Sequence, residues 1–121
     1  MRNLVEHLDM SVLDELKDIM DDEFEFLLQT FIKDSAMHLE HIDQFAQQKD
    51  SDELRRSAHS LKGSSVNVGA TQLHDLCAEL EKAASDELWT QTSDQIEQIQ
   101  REYMAVVECL TELLPGHNRS E

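Results

Sequence analysis

The sequence predicts an all-α fold, an antiparallel up-down four-helix bundle with an additional short N-terminal helix. Three observations predict it. Helix breakers are scarce: 121 residues hold 3 glycines and 1 proline, and that proline, Pro115, lies near the end. Apolar residues recur at helical spacing over five segments. The connections between the segments are short, which makes long amphipathic helices antiparallel neighbours. The length fits a single domain over residues 1–121 that folds without disulfides or metal, with 115–121 as a flexible tail.

The elements follow in order. The first helix runs from Leu8 to about Asp21, carries Leu8, Val12, Leu13, Leu16, Ile19 and Met20, and has Asp9 or Ser11 as its cap. It is expected to cover one end of the bundle. The second runs from Glu23 to about Gln48, with Phe24, Leu27, Leu28, Phe31, Ile32, Leu39, Ile42 and Phe45 at helical spacing. Lys49-Asp50-Ser51 breaks it, and Ser51 starts the third helix, which reaches about Val68. Asn67-Val68-Gly69 reads as its stop, with Gly or Asn as the left-handed residue. Ala70 or Thr71 opens the fourth, with Leu73, Leu76, Cys77, Leu80 and Ala84 on one face. Ser85-Asp86 connects it to a last helix from about Glu87 to Leu114, ended by Pro115-Gly116. Trp89 and Tyr103 are core or core-edge residues of that helix.

Charge excludes several functions. With 10 Lys+Arg against 26 Asp+Glu the formal charge is −16, which repels nucleic acid and anionic lipid. No run approaches the roughly 20 apolar residues of a membrane span. The Met1–Met10 stretch is short, polar and acidic, unlike a signal peptide. Cys77 and Cys109 fall on core faces and read as small buried hydrophobes of a reducing compartment rather than as a disulfide. The expected setting is the cytoplasm, and the expected state is a monomer, because one antiparallel bundle satisfies every apolar stripe.

The most informative stretch is Ala58 to Ala70, Ala-His-Ser-Leu-Lys-Gly-Ser-Ser-Val-Asn-Val-Gly-Ala. His59, Lys62 and Gly63 stand at i, i+3 and i+4, on one helix face. An imidazole is a nucleophile, and a cation one turn on holds an anionic group that the imidazole has accepted. A glycine there lets another protein's backbone come close. It also costs about 0.5–1 kcal/mol against alanine inside a helix, so something other than stability favours it. The pattern points to a histidine that is phosphorylated and handed on.

A helical wheel, at about 100° per residue, says where the imidazole points. Leu54, Ala58, Leu61, Ser65 and Val68 form the core stripe, and His59 lies more than about 90° from its middle. It should face solvent. Arg55 and Lys62 flank it on one side, Arg56 and Gly63 on the other. The plainer reading of Arg55 and Arg56 is surface charge paired with Asp52 and Glu53, which is worth little.

These residues resemble the histidine-containing phosphotransfer (HPt) family. His59-Ser60-Leu61-Lys62-Gly63-Ser64-Ser65, then Asn67-Val68-Gly69-Ala70, then Leu73, Leu76, Cys77, Leu80 and Glu81, follow the family pattern almost position for position. The resemblance spans the whole chain, including the acidic Met20–Phe24 entry to the second helix, and is greatest to free-standing members of the HptB type. It implies a bundle whose exposed His59 carries a phosphoryl group between the aspartates of receiver domains, one in a hybrid sensor kinase and one in a response regulator. By the same resemblance Lys62 contacts the phosphoryl oxygens and Gly63 provides clearance; Arg55, Arg56, Ser64, Val66 and Glu81 are the further candidates for the docking surface, joined by His74 through its place on the flank of Glu81, where a solvated helix position is the plainer alternative. Many members have a glutamine where this chain has Glu81. A carboxylate there repels a phosphoryl group but accepts a hydrogen bond from the imidazole N–H.

The chemistry is coherent with that implication. Neutral imidazole is available near cellular pH, and phosphoryl transfer depends on positioning and charge more than on covalent machinery. The chain has no Gly-rich loop with a lysine and no nucleotide fold. It is therefore a carrier rather than a kinase, with no cofactor of its own, and the partner receiver domain brings the aspartyl phosphate and Mg²⁺.

Two other classes compete with the carrier. A di-metal carboxylate bundle needs Glu-x-x-His pairs, and no Glu stands three positions before His7, His38, His41, His59, His74 or His117. His38 and His41, at i and i+3, read as exposed histidines on a polar face. A pure adaptor, which docks a signalling partner through the same face without phosphorylation, exposes the same residues and is separated only by a phosphorylation experiment.

Overall fold

The computed structural model describes residues 7–114. Pro115, Gly116 and the expected tail at 117–121, like the first six residues, lie outside the described residues. Among the described residues there are five helices and no strand: α1 (Met10–Met20), α2 (Glu23–Gln47), α3 (Ser51–Asn67), α4 (Thr71–Ser85) and α5 (Trp89–Glu112). Helices α2 to α5 form the four-helix bundle, with α3 against both α2 and α4, and α5 against both α4 and α2.

Local chemistry sets the boundaries. Asp9 caps α1, its Oδ1 accepting the Ser11 N–H at 3.1 Å. Asp50, rather than Ser51, caps α3, its Oδ1 accepting the Glu53 N–H at 3.2 Å; Ser51 is already inside the helix. Gly69 supplies the left-handed residue after α3, at φ 71°. The last helix begins at Trp89, two residues later than the apolar pattern predicts, because Glu87 takes φ 56° and cannot be helical.

The core is the set of facing stripes. Leu28 and Ile42 of α2, Leu54, Ala58 and Leu61 of α3, Leu73, Cys77 and Leu80 of α4, and Ile99, Val106 and Leu110 of α5 are all fully buried. Each buried leucine contributes about 1.5–3 kcal/mol, so the α3 stripe outweighs the helix cost of Gly63 several-fold. Tyr103 lies in the core and donates its hydroxyl to the Ile32 carbonyl at 3.2 Å; Trp89 packs at the core edge. Both cysteines are buried, and no disulfide joins them.

Helix α1 crosses the end of the bundle where α3 turns into α4. Leu8 and Leu13 are buried there, and the Asp9 N–H donates to the Gly69 carbonyl at 2.7 Å. The short first helix thus fastens the turn that ends α3.

Candidate functional site

The α3 stripe that faces the core fixes what α3 shows to solvent. Burial of Leu54, Ala58, Leu61, Ser65 and Val68 turns His59 outward, and its side chain is 64% exposed. Helices α3 and α4 are antiparallel about the Val68–Ala70 turn. His59 and Glu81 lie about equally far from Gly69 on its two sides, so they come level across the helix pair.

The contacts are direct. His59 Nδ1 stands 3.0 Å from Glu81 Oε2, and Lys62 Nζ stands 2.8 Å from Glu81 Oε1. One carboxylate therefore holds an imidazole with one oxygen and an ammonium with the other. Burial alone would lift the Glu81 carboxyl, but the hydrogen bonds from Lys62 and His59, with the charge behind them, hold it below the ordinary carboxylate range. One turn N-terminal on α4 lies the buried Cys77. Burial first, and the nearby Glu81 second, push its thiol up to about 12, so Cys77 is an inert core group.

Gly63 completes the face. A Cβ built on it meets nothing within 4 Å, so the surface beside His59 is open to an approaching chain. Val66, one turn further, is 55% exposed. No buried stripe needs either residue.

The sequence of residues 27–113 matches the model of the Hpt domain. The chain belongs to the Hpt domain family. Its fold is similar to that of histidine-containing phosphotransfer protein B from Pseudomonas aeruginosa PAO1, with a TM-score of 0.87 and 36% identity over 95% of this chain and 97% of that one. A rice structure described as a histidine-containing phosphotransfer protein has the same fold, with a TM-score of 0.82 at 17% identity over 93% of this chain and 82% of that one. No curated protein sequence matches the chain.

The remaining residues of the expected docking surface of this Hpt domain divide. Arg56 lies a turn from His59 but is drawn back to Glu53, with Nη1 3.1 Å from Oε2, the plain surface pairing. Arg55 is half-buried on the same helix. The Ser64 hydroxyl donates to the Ser60 carbonyl at 3.1 Å, and Ser64 also lines a shallow groove between α2 and α3 with Leu27, Asn67 and Val68. His74 does not join the cluster: its Nδ1 lies 3.0 Å from Asp75 Oδ1, and among the described residues no hydrogen bond or ion pair links it to His59, Lys62 or Glu81.

Among the described residues no cluster of three or more His, Cys, Asp or Glu side chains is placed to hold a metal ion. His38 and His41 are half-buried, not exposed. The His41 ring packs 5.9 Å from Phe45, and burial, then the neighbouring His41, lowers the pKa of His38. Among the described residues no helix is long and apolar enough to cross a membrane.

Sequence reasoning missed one pair of the same chemistry. His7 Nδ1 stands 2.8 Å from Glu102 Oε2, with side chains only 17% and 9% exposed. Ninety-five positions separate the two, and no short-range pattern announces such a contact.

Proposed function

We propose that His59 is the phosphorylated residue of a carrier that passes phosphoryl groups between receiver domains, one belonging to a hybrid sensor kinase and one to a response regulator. The observation that carries this reading is the geometry of His59: an imidazole mostly in solvent, engaged through Nδ1 by Glu81, with an ammonium and an open glycine on the same face.

The step balances simply. The lone pair of the outward ring nitrogen, Nε2, attacks the phosphorus of an aspartyl phosphate on the receiver. An N–P bond forms, and the bond from phosphorus to the aspartyl oxygen breaks. The electron pair leaves with the carboxylate. The reverse step loads the next receiver. Lys62 stabilises charge on the phosphoryl oxygens as it does so, a role that preorganised cations fill well. Gly63 lets the receiver's active site descend close enough for in-line attack. The Mg²⁺ that shields the aspartyl phosphate comes with the receiver, and the carrier supplies no cofactor. The domain that does this spans the chain, and its place is the cytoplasm.

Transfer from a receiver charged with labelled phosphate tests the reading. The wild-type protein takes up acid-labile label, and His59→Gln takes up none while melting as before, since an exposed side chain contributes little to folding. Label persisting in His59→Gln would place the nucleophile elsewhere, and a wild-type protein that binds receivers without taking label would be an adaptor.

A further inference from the structure

We propose that the groove between α2 and α5 is a second docking surface, which takes a basic amphipathic helix of a partner protein while His59, on the opposite edge of the bundle, stays free for a receiver. The proposal goes beyond the carrier reading and uses it only for what happens at the His59 edge.

The packing order sets the two edges apart. Helix α3 lies against α2 and α4, and α5 against α4 and α2, so four seams run around the bundle. His59, Lys62 and Glu81 occupy the outside of the α3–α4 seam. The α2–α5 seam is the one across from it. It holds a cavity of about 450 Å³, larger than the hollows along the α4–α5 and α2–α3 seams and within the size range of ligand pockets. Its α5 wall runs from Trp89 to Gln100, about 16 Å of helix. About three turns of a partner helix fit along that length.

The lining states the chemistry of the occupant. Ala46 and Trp89, both half-buried, and the buried Ile96 give an apolar floor. Asp43 on α2 and Glu97 on α5 put an exposed carboxylate on each wall. Their contacts are local and exposed: Gln47 donates to Asp43 at 3.1 Å, and Arg101 Nη2 stands 3.4 Å from Glu97 Oε2. Exposed pairs of that kind are worth little and yield easily to a partner. Lys49, just past the end of α2, is the one cation that lines the groove. An apolar floor between acidic walls suits a helix with apolar anchors at i, i+3 or i+4 and i+7 and with lysine or arginine on both flanks. A basic side chain also gains from lying over the indole face. The net charge of −16 steers such a segment in and turns acidic ones away, including a second copy of this chain. A carrier held by this edge would meet the receivers of the same assembly at raised effective concentration.

Trp89 is the single tryptophan of the chain, so its fluorescence reads the groove directly. The probe is a synthetic peptide of about 14 residues, about four turns of helix, with leucine on one face and lysine elsewhere. Its counterpart has glutamate for lysine. The lysine peptide should shift the Trp89 emission saturably, and in nitrogen-15 NMR the changes in backbone amide shifts should fall on Asp43–Lys49 and Trp89–Gln100. The glutamate peptide should do neither. Asp43→Lys with Glu97→Lys should weaken the lysine peptide about tenfold or more. Asp14→Lys with Glu15→Lys, on α1, makes the same change in net charge and should weaken it less than about threefold, because distant charges are screened. Transfer of label from a charged receiver to His59 should run equally fast with the groove filled. No binding of the lysine peptide, equal weakening in the two double variants, shift changes centred on the His59 face, or a filled groove that blocks transfer would each overturn the proposal. A protein that binds the peptide in the groove yet never takes label strikes the carrier reading and leaves the docking surface standing, so the two failures are distinguishable.

Discussion

Among the described residues, two histidine–glutamate pairs share nearly identical geometry in opposite settings. His59 and Glu81 meet at 3.0 Å across α3 and α4, with side chains 64% and 20% exposed. His7 and Glu102 meet at 2.8 Å, just ahead of α1 and on α5, at 17% and 9%. Each uses Nδ1 against Oε2. What separates them is access and company. The open pair has Lys62 on the second carboxylate oxygen and the bare flank of Gly63 beside it. The closed pair joins His7, just ahead of α1, to Glu102 of α5 in a mostly buried setting. Under the carrier reading proposed above, the pair that serves as the site is the one whose ring is mostly in solvent and whose carboxylate also holds a cation.

The largest effect expected from this comparison is a double dissociation. His59→Gln removes all label and leaves stability within about 0.5 kcal/mol, as surface substitutions do. Glu102→Ala removes the acceptor from a mostly buried ring and should cost about 1–3 kcal/mol, while label uptake stays at wild-type level. Denaturant melts and receiver-transfer assays on both variants measure the contrast. Lost labelling in a folded Glu102→Ala protein would erase the distinction between the pairs.

A smaller effect separates the two neighbours of His59. Lys62→Ala should slow transfer from the receiver by about tenfold, equivalent to about 1.4 kcal/mol of lost stabilisation of the transferring group. It should also change the lifetime of isolated phosphohistidine. Gly63→Gln should slow transfer through obstruction alone and leave that lifetime as it was. Equal lifetimes in both variants would mean that Lys62 does not touch the phosphoryl group.

The contrast between the pairs also shows what a sequence can disclose. Helix α3 was legible because a buried stripe has a period: Leu54, Ala58, Leu61, Ser65 and Val68 are all buried as the wheel requires, and His59 faces out as a consequence. The start of α3 at Ser51 was legible as well, and Asp50 just before it supplies the cap. The late start of α5 was not legible, because Glu87 in a left-handed conformation leaves no mark on an apolar pattern. The role of Glu81 was not legible, because its contacts depend on how α4 folds back on α3; there its carboxylate lies between His59 and Lys62. His74 adds a local case: its place on the fourth helix was legible, while the contact of its ring with the neighbouring Asp75 was not.

The last contrast, and in Gly63→Ala the smallest single effect, concerns the two glycines that bracket the end of α3, an open flank against a closed joint. A methyl group on Gly63 meets nothing within 4 Å, and the residue sits in ordinary helix. Gly63→Ala should therefore stabilise the protein by up to about 1 kcal/mol, the helix preference of alanine over glycine. Gly69 sits at φ 71°, and a methyl there would lie 3.0 Å from the Asp9 carbonyl oxygen, on the backbone that joins α1 to the turn. Gly69→Ala should destabilise by about 1–2 kcal/mol through its left-handed conformation alone, more if the Asp9 backbone cannot yield. Thermal melts of the two variants should move in opposite directions. If Gly63→Ala also lowers the melting temperature, the glycine is serving the fold, and its place beside His59 no longer argues for clearance.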